Sequence, residues 1–67
     1  MNYREFTKKL LAIGCREIKR RGGGSHRKWF NPATERGTTI PDWGRKDLKA
    51  GTISAVCRQL GIDKNSL

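Results

Sequence analysis

Apolar residues recur along this chain with two different periods. Near the start, Tyr3, Phe6, Leu10 and Ile13 stand three, four and three residues apart, the single stripe of an amphipathic helix. Asn2 precedes the stripe as an N-cap, and Glu5 follows three residues later in capping-box register. Lys8 and Lys9 fall in the last turns, where cations suit the helix dipole. Gly14 stands where a left-handed cap ends such a helix. A second stripe, Ile53, Val56, Cys57 and Leu60, occupies i, i+3, i+4 and i+7. It predicts a helix from residue 50 or 52 to residue 60, stopped by Gly61.

Between the stripes the pattern shortens to that of strands. Residues 15–21 form a first strand with poor alternation, and Gly22-Gly23-Gly24-Ser25 a flexible turn. Residues 26–31 form a second strand carrying Trp29 and Phe30. These adjacent aromatics point to opposite faces, Trp29 into the core and Phe30 outward. Residues 32–37 are a polar turn. Thr38-Thr39-Ile40 is β-branched throughout and is ended by Pro41. Residues 42–49 are a polar connection containing Trp43, which either covers the edge of the core or lies beside the site. The expected class is α+β in the order α-β-β-β-α. An antiparallel three-stranded sheet carries both helices on one face and leaves the other exposed.

Length and charge narrow the function. Residues 1–67 make one domain. A domain of this size buries only about 60% of its unfolded surface, so a site must be an open face or shallow groove. Lysine and arginine number 15 against 6 acids, a net charge of +9. Such self-repulsion disfavours the compact state and points to a polyanionic partner: RNA, DNA, an anionic membrane or an acidic protein. The membrane is the weakest of these. The longest apolar run is Leu10-Leu11-Ala12-Ile13, far short of the ~20 residues of a spanning helix. No secretion-signal core is expected either. Cys15 and Cys57 read as reduced core thiols of a cytoplasmic protein, with a disulfide as the alternative. They share no ligand spacing with the single histidine, so no metal site and no cofactor are expected.

That histidine, His26, follows three glycines and a serine at the start of the second strand. Arg20, Arg21, Arg27 and Lys28 surround it in sequence. Imidazole exchanges a proton near neutral pH, and neighbouring cations stabilise charge on a phosphate. The combination suits phosphodiester cleavage in RNA, where the adjacent 2′-hydroxyl is the nucleophile and no metal is required. A lone histidine at a strand start is most often a half-buried hydrogen-bonding residue or a surface residue. The glycine run lacks the spacing of a phosphate-binding loop and reads as a turn. Phe30 is a candidate for stacking on a base.

The chain resembles the HicA family of toxins, small ribonucleases of bacterial and archaeal toxin–antitoxin pairs. The resemblance is carried by the first helix ending in Ile13-Gly14 and by Gly24-Ser25-His26 followed by Trp29 and Pro32. Thr39-Ile40-Pro41, and Lys46 to Ile53 (sequence KDLKAGTI), complete it in order. It implies a fold related to double-stranded-RNA-binding domains. It implies messenger-RNA cleavage with His26 as the catalytic residue, and neutralisation by a HicB-type antitoxin. Two features depart from the family pattern: the run before Gly24 is about two residues longer, and Trp43 stands where a small residue or histidine is expected.

The expected function is therefore a metal-independent endoribonuclease toxin. His26 moves the proton, and Arg20, Arg21, Gly24, Ser25, Arg27, Lys28 and Phe30 contact RNA. The partners are messenger RNA and an acidic HicB-type antitoxin, with no membrane and no cofactor. The rivals are a non-catalytic RNA-binding module of the double-stranded-RNA-binding fold and a basic adaptor protein.

Overall fold

A computed structural model describes residues 1–19 and 24–67. Helix α1 (Tyr3–Ala12) starts from a complete capping box. The Asn2 side chain accepts from the Glu5 amide at 2.9 Å, and the Asn2 amide donates to Glu5 Oε1 at 3.1 Å. Its end explains why one stripe residue leaves the core. Gly14 adopts φ +100° and donates to Leu11 O, while the Cys15 amide reaches back to Leu10 O at 3.0 Å. This is a Schellman closure, which brings the residue after the glycine back over the last turn. Cys15 is therefore buried against Leu10, and Ile13, expected to continue the stripe, is 41% exposed.

The three strands are β1 (Arg16–Ile18), β2 (His26–Asn31) and β3 (Arg36–Pro41), antiparallel in the order β1-β2-β3. The first strand is shorter than the expected 15–21: Cys15 belongs to the α1 closure, Lys19 lies past the strand, and residues 20 and 21 lie outside the described residues. Strand β3 begins two residues before the expected Thr38 because Arg36 and Gly37 pair with Asn31 and Phe30. Glu35, at φ 57°, closes the β2–β3 turn.

Helix α2 (Ala50–Leu60) ends in a second Schellman closure. Gly61, at φ 68°, donates to Arg58 O, and Ile62 donates to Cys57 O at 2.9 Å. The Leu60 carbonyl left over at this end accepts from the buried Asn31 Nδ2 at 2.9 Å and from Thr34 Oγ1 at 2.7 Å. The end of β2 and its turn thus dock the end of α2. A short 3₁₀ turn, Lys64–Ser66, follows and was not expected.

Both helices lie on one face of the sheet. Trp29 and Thr38 face each other across β2 and β3. The Trp29 indole donates to Tyr3 Oη of α1 at 3.0 Å, and the Thr38 hydroxyl donates to Gln59 of α2. Phe6, Leu10, Trp29, Ile40, Val56 and Leu60 are among the residues closing the single core between these layers. Cys15 and Cys57 are free buried thiols, as expected, and burial pushes both up from their ordinary pKa. At the far side, the Leu48 amide donates to Met1 O at 2.7 Å and Asn2 bridges to Asp47, tying the starts of the two helices together.

A Cβ at Gly61 would stand 3.0 Å from Thr34 Cγ2 in a backbone conformation that L-residues enter at a cost of about 1–2 kcal/mol. Gly61→Ala should lower stability by about 1–3 kcal/mol, read from the urea midpoint. An unchanged midpoint would show that this closure does not hold the α2 end.

Candidate functional site

Strand β2 is central and its side chains alternate between faces. Arg27, Trp29 and Asn31 point to the helices, and His26, Lys28 and Phe30 point away from them. The register extends the outer face over both neighbours. Phe30 lies between Arg16 and Gly37, Lys28 between Ile18 and Thr39, and His26 beside Pro41. His26 and Lys28 are exposed and Phe30 is half-buried. Gly37 offers no side chain to cover the Phe30 ring from that side. His26 and Lys28, two residues apart on one strand, have Cα atoms about 6.6–6.8 Å apart. Ser25 Oγ stands 3.5 Å from His26 Nδ1.

The structure divides the expected site residues. His26, Lys28 and Phe30 share the open face, and Gly24 and Ser25 are exposed directly ahead of it. Arg20 and Arg21 lie outside the described residues. Arg27 does not join the others. It points inward, half-buried, with its guanidinium 3.7 Å from Glu17 and 3.6 Å from Asp42. Its Nε is buried without a hydrogen-bond partner among the described residues. Tyr3 belongs to the same cluster. Burial raises its phenol pKa, the Trp29 hydrogen bond lowers it, the Glu17 charge raises it, and the Arg27 charge lowers it. Among the described residues neither Arg16 nor Lys28 makes an ion pair, so the outer face keeps its positive charge free.

Asp42 connects the inner cluster to the outer site. Its amide donates to Ser25 O, its Oδ2 faces Arg27, and its Oδ1 accepts from the Gly44 amide at 3.0 Å. The residue ahead of His26, the inward arginine and the turn carrying Trp43 therefore share one anchor. Trp43 itself is 40% exposed. Sequence reasoning missed Asp42 and Glu17 because their partner was assigned outward. The signal that places Arg27 was available, since counting back two residues from a buried Trp29 puts Arg27 on the same face.

Among the described residues no three His, Cys, Asp or Glu side chains gather as metal ligands, and no helix is long and apolar enough to cross a membrane. A family profile for the HicA toxin of bacterial toxin–antitoxin systems matches residues 3–62. The chain belongs to the HicA toxin family. The match spans both helices and all three strands, leaving out only the first two residues and the last five. HicA membership makes the chain the toxin of a toxin–antitoxin pair, and so one that has an antitoxin partner. Comparison with curated proteins and with solved structures returns no significant match.

The split between faces predicts unequal stability effects at adjacent positions in this HicA chain. Arg27→Gln strands Glu17 and Asp42 beside each other and should cost about 1 kcal/mol after solvent screening. Lys28→Gln should stay within about 0.5 kcal/mol of the parent. Thermal or urea unfolding of both variants checks this, and equal effects would contradict the alternation.

Proposed function

We propose that this HicA chain is a cytoplasmic endoribonuclease that cleaves messenger RNA on the open face of its sheet, with His26 as the catalytic residue. The observation that carries the reading is the row of His26, Lys28 and Phe30 on one uncovered face. It combines a proton carrier, a cation without an ion-pair partner among the described residues, and an aromatic ring. In this reading His26 takes the proton from a ribose 2′-hydroxyl as that oxygen attacks the adjacent phosphorus. The bond from phosphorus to the 5′-oxygen breaks, giving a 2′,3′-cyclic phosphate and a 5′-hydroxyl end. The departing oxygen takes its proton from a second donor, water or Lys28, since the chain has one histidine. Lys28 offsets the charge developing on the phosphate, and Phe30 stacks on an unpaired base. No resident metal takes part. Arg27 acts from beneath as a positioning residue, through Asp42 and the Ser25 carbonyl.

The same face is the surface an antitoxin has to cover. A HicB-type partner rich in carboxylates would match its free cations, and opposite potentials speed capture. The exposed position of His26 means that covering the face is enough to silence it.

General acid–base assistance is typically worth about 10²–10⁴-fold, so His26→Ala should lower the cleavage rate by that factor while its thermal melt stays close to that of the parent. Cleavage by the parent should survive excess EDTA. Lys28→Gln should reduce the log–log salt slope of RNA binding by about 0.7. Full cleavage by a folded His26→Ala protein would overturn the assignment and favour a binding module. Loss of cleavage in EDTA, restored by Mg²⁺, would overturn the metal-free step.

A further inference from the structure

A second surface near His26 combines an aromatic face with cations. The loop between β3 and α2 carries a groove of about 510 Å³ lined by Trp43, Lys46, Asp47 and Lys49. Leu11, Ile13 and Ile18 are comparably exposed apolar side chains, but none lines this groove. The indole ring does not hang on a loose loop. Asp42 Oδ1 holds the Gly44 amide at 3.0 Å, the Lys46 amide donates to Trp43 O at 3.2 Å, and Gly44 takes φ 64° to close the turn. A backbone fixed in this way loses little freedom when a flat ligand stacks on the side chain it carries.

The groove is close to the proposed cleavage site. His26 and Pro41 are Cα partners, and Trp43 follows Pro41 by two residues. A cross-strand step of about 5 Å plus two chain steps of about 3.8 Å puts the Trp43 Cα at most about 13 Å from that of His26. An RNA strand bound at His26 therefore has this loop within about 13 Å. The charge also fits. Lys46 and Lys49 supply two cations, and Asp47 removes one of them formally while its carboxylate lies 3.5 Å from the Met1 amino group. That leaves a weak phosphate grip, so the base rather than the backbone must provide most of the binding.

We propose that Trp43 is a base-stacking subsite for a nucleotide flanking the scissile phosphate, with Lys46 and Lys49 on its phosphates. The inference rests on the reading of the open face as an RNA site. The subsite tolerates any base, because every base presents a π-face, and it selects single-stranded over paired RNA, because a paired base cannot reach the ring.

The test uses His26→Ala protein, so that substrate persists, with an unstructured oligoribonucleotide of about 12 nucleotides and an abasic oligomer of equal length and charge. Adding Trp43→Leu should weaken binding of the base-bearing oligomer roughly 5- to 150-fold. It should leave the abasic oligomer and the thermal melt unchanged. Trp43→Phe, which keeps a π-face, should restore affinity to within about threefold. If the parent binds RNA and Trp43→Leu binds it equally well, the stacking subsite is overturned while the open-face reading stands. If that variant instead loses only its grip on the antitoxin, the groove is a protein contact and the proposal falls. If the His26→Ala protein binds neither oligomer, both readings fall together.

Discussion

The alternation of one central strand governs this small domain. Strand β2 has six residues, and every second one is committed to the inner side: Arg27 to two acids, Trp29 and Asn31 to the helices. Trp29 reaches α1 through Tyr3, and Asn31 reaches the end of α2 through the Leu60 carbonyl. Only the intervening positions, His26, Lys28 and Phe30, are free to work. A one-residue slip in register would exchange the two sets, burying a histidine and a lysine and exposing a tryptophan. The contacts that hold the fold therefore also fix which side chains face outward, and a domain with so small a core has no spare element on which to build a site separately.

Asp42 extends that constraint beyond the strand. One residue contributes its amide to Ser25, one oxygen to Gly44 and the other to the neighbourhood of Arg27. The inner ionic cluster and the outer face are thus mechanically linked through a single carboxylate and its backbone. The distribution of charge follows. Arg27 is neutralised by two acids on the helix side, while among the described residues Arg16 and Lys28 have no ion-pair partner on the open side. Part of the chain's positive charge, Arg16 and Lys28, is thereby presented where an anionic partner has access.

Much of this was legible in the sequence because local chemistry decided it. The capping box at Asn2 and Glu5, the stop at Gly61 and the division of Trp29 from Phe30 each depend on residues close together in the chain. What could not be read depended on geometry away from the residue concerned. Ile13 fits the helical stripe, yet the left-handed turn at Gly14 substitutes Cys15 for it in the core. Arg27 looked like part of a basic cluster because its acids, Glu17 of β1 and Asp42 just after β3, meet it only when the sheet pairs. Asn31 was read as a strand end, but its amide closes the turn to Ala33 and caps a helix 29 residues later. The family profile adds what no local pattern supplies, the toxin role, and covers the same strand that the alternation singles out.

The most direct measurement is side-chain NMR of the His26→Ala protein titrated with an unstructured oligoribonucleotide. Ring signals of Phe30 and the methyl of Thr39 report the outer face, and the Trp29 indole and the methyl of Thr38 report the inner face of the same strands. The account predicts shifts in the first pair that saturate with RNA, with the second pair nearly still. Shifts confined to the second pair, or to residues of α1, would place the RNA elsewhere and contradict it.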